Sequence, residues 1–592
     1  MVNYLDGQIA FKVVGEKIII RLRDRVCGNG KELITSPLFR EVLARYVKNL
    51  RKKDSPLCRL FGDRREKVDD SDIQMLVDAF LVLEKLPLDN VPKLVDNSEH
   101  LVRDPHLLSE FVENFYNYWR AFERYIVCDS EGDRLDKRPF RTFNSTVEEL
   151  THIIRKTYRD VEESITGRHP AVYRQVAAGA EVALIALPKE VKLPDGYKEK
   201  LQPLPIIRQA LLYPPLLLNP PMNKRTGKFV RIDENPLDHV DLDKDEWLCY
   251  PAKVGSLFML IYVHERFYGL GIALSNLFEL AEDEVLKRKP DAVYLFGVPG
   301  NAIDEMAELP TVFYDDEEND LLIGAVPGRD EFGYFGYLKK MILTLHNIKM
   351  LKMGKMPYHG AMVKIVLKGD KQANILLIGD TGAGKSESLE AFRNLAGDQI
   401  KDMTIIADDM GSLDIADDGR IIGYGSEIGA FVRLDDLQPG YAFGQLDRTI
   451  IMSPGRTNAR VVLPVTTYEN VVKGSPVDIV LYANNYEQVD EDYPIIDKLP
   501  NPELALHVFR EGTAMSKGTT TTTGLVHTYF VNIFGAVQYR QLHDDIAQRF
   551  FSAFYDADLF VGQLRTRLGI AGWEMSGPEE AAKALLEFIQ QR

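Results

Sequence analysis

Cysteine is scarce. There are four in 592 residues, Cys27, Cys58, Cys128 and Cys249, far apart and with no CxxC pair. That excludes a disulfide framework and a cysteine-built zinc site, and it fits a reducing compartment. Long apolar runs are also lacking. The longest stretch, Val254 to Val263, is too short to span a bilayer. The opening residues, Met1-Val2-Asn3-Tyr4-Leu5-Asp6, contain neither a basic n-region nor an apolar h-region. A cytoplasmic protein with no membrane partner is therefore expected. Basic excess is missing as well. The formal net charge is −16, whereas a nucleic-acid-binding surface must neutralise phosphates. Basic runs such as Arg51-Lys52-Lys53 sit among acids and read as a solvated face. No nucleic-acid partner is expected, and a small anionic ligand would need a local Lys/Arg cluster working against the overall field.

What remains is an ordinary globular composition, 45% hydrophobic and 27% charged, in a chain long enough for two or three domains. No repeat appears at solenoid periods. Apolar residues Leu43, Val47 and Leu50 follow Pro37-Leu38-Phe39 at helical spacing, and similar spacing runs from Asp70 to Leu86 and from Asp104 to Ile126. Residues 1–155 are accordingly expected to be a helical N-terminal region. Beyond Thr151 the texture changes, with Gln202-Pro203-Leu204-Pro205, Tyr213-Pro214-Pro215 and a polar, Pro-rich stretch from Asn219 to Asp245 that reads as a long loop. From Ala373 short β-rich runs dominate: Ile375 to Ile378, Thr404 to Ala407, Arg460 to Leu463 and Ile479 to Tyr482. The expected fold class is α/β, or mixed α+β, around a central sheet.

One motif carries chemistry on its own. Gly379-Asp380-Thr381-Gly382-Ala383-Gly384-Lys385-Ser386 matches GxxxxGK[ST] in full. An apolar strand enters it, and a helix with Leu389, Phe392 and Leu395 on one face leaves it, with Gly397 as its stop. The glycines let backbone N–H groups turn inward around phosphate oxygens, and the helix N-terminus adds the positive end of a dipole. Lys385 is placed to reach the β- and γ-phosphates, and the Ser386 hydroxyl can ligate Mg²⁺. Nucleotide binding is predicted over all eight residues. A phosphate loop also needs an acid for its metal. Asp408 and Asp409, which end the run Ile405-Ile406-Ala407, are the candidates.

The loop spelling Gly-Asp-Thr-Gly-Ala-Gly-Lys-Ser-Glu, with His359-Gly360 upstream and Ala407-Asp408-Asp409 downstream, resembles HPr kinase. The wider pattern resembles the ATP-dependent phosphoenolpyruvate carboxykinase of the same superfamily. Thr166-Gly167-Arg168-His169-Pro170 is similar to that family's oxaloacetate-binding Thr-Gly-Arg-Ser-Pro segment. Tyr334-Phe335-Gly336-Tyr337-Leu338-Lys339-Lys340 resembles its Tyr-Gly-Gly-Glu-Met-Lys-Lys segment. From Lys340 to His359 is 359 − 340 = 19 positions, the family's interval between its lysine and histidine metal ligands. Asn458-Ala459-Arg460 with Pro464 resembles Asn-Thr-Arg before Tyr-Pro. Gly512-Thr513-Ala514 with Lys517-Gly518-Thr519 resembles the lid that closes over the site. The likeness covers scattered blocks between about residues 160 and 570. It departs at Thr381, where the family has serine, at Met410, where the carboxykinase has an acid, and in the Thr519 to Thr523 run.

The resemblance implies a carboxykinase-like nucleotide-binding domain with its lid in residues 351–592, a substrate-binding lobe in 156–350, and a helical extension before them. It implies reversible conversion of oxaloacetate and ATP into phosphoenolpyruvate, CO₂ and ADP. In that scheme Arg168 clamps a substrate carboxylate and Tyr334 orients the substrate. Lys340, His359 and Asp409 hold Mn²⁺, Ser386 and Asp408 attend Mg²⁺, and Lys385 and Arg460 offset phosphoryl charge. Ala514, Lys517, Gly518 and Thr519 belong to the lid, and Arg565 and Arg567 are base-pocket candidates. ATP/ADP, Mg²⁺ and Mn²⁺ are the expected cofactors and co-substrates. Two other readings stand beside this one: a kinase acting on a protein or small-molecule hydroxyl, as in HPr kinase, with Asp408 or Asp409 as base, and an inactive nucleotide sensor.

Overall fold

The computed structural model describes residues 9–22, 26–64, 68–129, 139–225, 229–380, 382–395, 399–434, 446–517 and 523–592. The chain forms two compact units. One is Met1–Leu187 with Ile207–Tyr213; the other is Pro188–Ile206 with Pro214–Arg592. Residues 156–187, which the sequence reading places in a substrate-binding lobe, thus pack with the first unit.

The first unit is mixed rather than helical throughout. Its helices include Pro37–Lys52, Asp70–Leu83, Pro105–Arg120 and Pro139–Thr166. The starts of the first three are set by side-chain caps. Ser36 Oγ accepts from Phe39 N with Pro37 in the first turn, and Asp69 and Asp72 form a reciprocal capping box. Helical spacing suggested one segment from Asp104 to Ile126, but the helix ends at Arg120 and Glu123–Cys128 is a strand. That strand pairs in parallel with Lys17–Leu22 on one side and Val182–Leu187 on the other. The hairpin Ile9–Val14/Lys17–Leu22, turning at Gly15 with φ +59°, was not expected either. Alternation over so short a run is a weaker signal than a long helical period, and pairing on both sides decides the outcome. Leu43, Val47, Leu76, Phe80, Phe111 and Ile126 share the core.

The second unit holds several sheets. In one, Trp247–Val254 pairs antiparallel with Leu257–His264, followed by Ala292–Val298, Leu321–Pro327 and Val312–Asp316, with Val230–Ile232 at the edge. The apolar run Val254 to Val263 is therefore the turn and strand of a buried hairpin. Its residues are buried on both faces, which explains the unbroken hydrophobicity. A second sheet runs Ile421–Gly425, Met410–Ile415, Met356–Leu367, Gln372–Ile378, Ile479–Asn484, Phe560–Arg565, Ile496–Lys498, and Ile400–Ala407 also pairs with Met356–Leu367. Helices Lys385–Leu395 and Ser576–Gln591 cover one face of it through Phe392, Leu585 and Ile589. Helices Pro502–Glu511 and Arg540–Asp556 cover the other through Phe509, Phe550 and Phe554. Gly429–Arg433, Arg460–Pro464, Ile450–Met452 and Leu216–Leu218 form a third sheet, and Thr513–Lys517 with Thr523–His527 form a separate hairpin. The α/β expectation holds at this level. Among the described residues, no helix is long and apolar enough to cross a membrane.

Candidate active site

A cavity of about 880 Å³ opens in the second unit, and the sequence motifs of that unit converge on it. Strand Gln372–Ile378 delivers the chain into the glycine loop, and helix Lys385–Leu395 carries it away. Two glycines are needed here for steric reasons. Gly382 and Gly384 have φ of +79° and +89°, and a Cβ on Gly384 would lie 2.6 Å from Thr566 Oγ1. Asn485 Nδ2 donates to Gly382 O at 2.9 Å and Thr566 Oγ1 to Ala383 O at 2.8 Å, so neighbouring strand ends brace the loop. Lys385 folds back over it, donating to Gly379 O at 2.5 Å and Asp380 O at 3.0 Å. Burial lowers the pKa of this lysine, against the pull of Asp409 and Asp380. Ser386 lines the cavity. Thr381 lies outside the described residues.

Opposite the loop stands a knot of charge. Tyr334 caps helix Phe335–Lys352, which brings Lys339 and Lys340 in on its second turn. Lys339 Nζ lies 2.9 Å from Asp409 Oδ2 and 3.4 Å from Glu427 Oε1, with the side chain 2% exposed. Lys340 Nζ lies 3.8 Å from the same Asp409 oxygen and 4.2 Å from the centre of the Phe534 ring. His359, on strand Met356–Leu367, places Nε2 3.1 Å from Asp409 Oδ1 and Nδ1 2.6 Å from Val531 O. Asp408 and Asp409 follow strand Ile400–Ala407.

These groups pull one another in different directions. Burial lowers Lys340 to about 8, and the positive charge of Lys339 adds to the effect against Asp409. Burial also opposes the charge on Lys339, but Asp409 and Glu427 outweigh it and hold this lysine well above the ordinary lysine range. Burial pushes Asp409 up; the Lys339 and Lys340 charges overcome it and keep the carboxyl well below its usual range. Asp408 is pushed up by burial to about 6. Two adjacent lysines thus differ in proton affinity because one sits between two carboxylates and the other beside a cation.

The far end of the cavity is basic. Arg460 opens strand Arg460–Pro464, its guanidinium carbon 5.4 Å from the Phe431 ring centre. Tyr334, whose hydroxyl pKa burial raises, is opposed in that shift by Arg460, Arg225 and Lys339. Lys224 and Arg225 also line this end. Sequence reasoning missed Arg225, although Asn223-Lys224-Arg225 is a basic cluster inside an acidic chain. Leu389, Met403, Ile405 and Val465 add apolar lining to the cavity, with Arg393 of the helix also among its lining residues. Ala514 of the hairpin lines the cavity with Met515 and Val526; Gly518 and Thr519 lie outside the described residues, and Lys517 ends the strand before them.

Three expected residues are not in this constellation. Arg168 belongs to the first unit, exposed in the turn after helix Pro139–Thr166, where its backbone N meets Thr166 Oγ1 at 3.4 Å. It is not among the residues lining the cavity. Arg565 is occupied by Glu487 at 2.9 Å and Asp497 at 3.4 Å, and Arg567 by Glu580 and the Trp573 ring. Neither arginine lines the cavity.

Among the described residues, no group of three or more His, Cys, Asp or Glu is placed to hold a metal. The candidate set has two such donors, His359 and Asp409, with an amine as the third. Its chemistry nevertheless fits a cation. With Nδ1 donating to Val531 O, a neutral His359 points the Nε2 lone pair at the Asp409 carboxylate, and an ion between these acceptors would satisfy both. No protein-family model matches the chain, and no curated protein is significantly similar to it.

Proposed function

We propose that the chain is a metal-dependent phosphoryl-transfer enzyme of the phosphoenolpyruvate carboxykinase type, converting oxaloacetate and ATP into phosphoenolpyruvate, CO₂ and ADP. One observation carries the reading: Lys340, His359 and Asp409 meet, and the lysine among them is lowered to about 8. A lysine can ligate a cation only as the neutral amine, and a surface lysine near 10.4 would seldom be one at neutral pH. These three residues would hold Mn²⁺, and Ser386 with Asp408 would attend the Mg²⁺ of the nucleotide. A divalent cation supplies positive charge against the negative charge that develops on a substrate oxygen.

The chain's own residues do the rest. The basic end, with Arg225 and Arg460, suits a dicarboxylate, whose planar groups a guanidinium can grip in two places. Tyr334, packed between them, orients that substrate. Lys385 is already turned over the phosphate loop and offsets charge on the transferring phosphoryl group, assisted by Arg460. Hairpin Thr513–Lys517/Thr523–His527 borders the cavity and would exclude water, which otherwise takes the phosphoryl group or protonates the enolate.

A second reading has its own support. Asp408, raised to about 6, is suited to act as a base near neutral pH, and the apolar side at Leu389, Met403 and Ile405 has room for a larger acceptor than oxaloacetate. That combination fits transfer to a hydroxyl. The test is an assay of purified protein with ATP, Mg²⁺ and Mn²⁺. Phosphoenolpyruvate formation that requires oxaloacetate supports the first reading. ATP turnover that ignores oxaloacetate but responds to a hydroxyl acceptor overturns it in favour of the second.

A further inference from the structure

Glu427 belongs to none of the sequence motifs. It sits in the short link between strands Ile421–Gly425 and Gly429–Arg433. Its side chain is 0% exposed, and among the described residues neither carboxylate oxygen has a hydrogen-bond partner. Its charged neighbour is the equally buried Lys339, 3.4 Å away, which is at the same time bonded to Asp409. The link cannot swing outward. Gly255 N donates to Ser426 O at 2.8 Å, Ser426 Oγ to Met410 O at 3.0 Å, and Ile428 N to Leu277 O at 2.7 Å. Burial pushes the Glu427 carboxyl up to about 8, against the pull of the Lys339 charge and with Asp409 and Asp408 adding to the rise. Ionised, it is held out of water with one cation beside it and no N–H donors, a costly arrangement that an apolar side chain of similar size would avoid.

The benefit falls on Asp409. One of its oxygens faces His359 and the other faces Lys339. Were Lys339 paired with Asp409 alone, the ammonium would compete with any divalent ion for that carboxylate. A second carboxylate on the far side of Lys339 divides the ammonium between two partners. We propose that Glu427 is a positioning residue for the cation site: by sharing Lys339 with Asp409, it keeps an Asp409 oxygen available to a divalent ion. This rests on the metal site proposed at Lys340, His359 and Asp409.

The test is Mn²⁺ binding to the full-length protein at one fixed pH above about 8, where the Glu427 carboxyl is ionised, followed by electron paramagnetic resonance, with ATP binding in chelator measured in parallel. Glu427→Gln keeps the shape and removes the charge. It should weaken Mn²⁺ about 10- to 100-fold, the usual effect of losing a group that orients a metal ligand, while ATP binding without metal stays within about twofold of wild type, as for an independent site. Glu427→Asp retains charge and should recover part of the loss. In a Lys339→Met background, Glu427→Gln should change Mn²⁺ affinity little further, because the effect passes through Lys339. Wild-type Mn²⁺ affinity in Glu427→Gln would overturn the proposal, as would an equal loss of metal and metal-free ATP binding, which marks a merely structural role. Failure of the wild type to bind Mn²⁺ would remove the metal site itself and this proposal with it. If Glu427→Gln does not fold, as judged by its melting curve, Glu427→Asp decides: unchanged Mn²⁺ affinity with the shortened carboxylate sinks the idea.

Discussion

The first unit and the cavity of the second use charge in opposite ways. In the first unit, ion pairs such as Arg45–Glu41 and Lys156–Asp160 sit at the surface, where they contribute little. One buried cation there, Arg124, is 2% exposed and tied to backbone carbonyls, Gly179 O at 2.7 Å and Arg120 O and Phe122 O at 2.6 Å, besides Glu181. That arginine closes the ends of a helix and a strand. Beside the cavity, Lys339, His359 and Glu427 are as deeply buried, yet Lys339 and His359 both face Asp409, Lys339 also faces Glu427, and Glu427 lacks donors. Burial of a charge is therefore not itself a functional sign. Burial among other titrating groups, with oxygens left unmatched and neighbouring lysines displaced oppositely, is the arrangement that chemistry requires and architecture does not.

The largest effect that could break this contrast comes from the phosphate loop. Lys385→Ala should reduce turnover about 10²-fold or more without unfolding the protein, since it removes a preorganised cation from the transition state. Turnover at wild-type level, with an unaltered melting curve, would make the loop a structural turn.

A smaller effect sets the arginines of the two units against each other. Arg225→Ala should raise the KM for oxaloacetate or lower kcat by about 10- to 150-fold, the worth of a charge-assisted bidentate contact. Arg168→Ala, a change at an exposed residue of the first unit, should stay within about twofold. The reverse ranking would return the carboxylate clamp to Arg168, where the resemblance puts it.

The smallest concerns the first unit alone. Burial raises Glu162 to about 7, with Ser109 opposing. A carboxyl with a folded-state pKa above its unfolded value near 4.3 binds its proton more tightly in the folded state. Its contribution is present in full below that unfolded value and is lost as pH rises through about 7. Glu162→Gln should therefore flatten the melting temperature between about pH 5 and 7 and raise it by a few degrees at pH 8. An unchanged pH profile would show that the carboxyl is hydrated after all.

The sequence exposed the parts whose chemistry is written in consecutive residues. The strand that enters the glycine loop, the helix that leaves it and the Asp408-Asp409 pair after strand Ile400–Ala407 stand where the reading places them; Thr381 and the expected helix stop Gly397 lie outside the described residues. The 19-residue interval from Lys340 to His359 also works out in space, because a helix and a strand return both residues to one carboxylate. What stayed hidden has no local signature. Glu427 looks like any turn residue until the third dimension sets it against Lys339. Arg225 lies in a stretch with the texture of a loop, and nothing local in the sequence marks Arg565 and Arg567 as paired with Glu487, Asp497 and Glu580. In the first unit, strands such as Glu123–Cys128 were absorbed into a helical period that ends three residues earlier, because pairing with distant partners leaves no mark on spacing.

The central claim is that the Lys340 amine belongs to a cation site, and the pH dependence of Mn²⁺ binding tests it most directly. Lys340 must lose a proton to ligate, so Mn²⁺ affinity should climb about tenfold per pH unit below about 8 and level off above it. In Lys340→Arg, which keeps the charge but offers no lone pair, the climb should vanish and the affinity should fall as far as in Lys340→Ala. Mn²⁺ affinity equal to wild type in Lys340→Arg, with the same pH profile, would contradict the account.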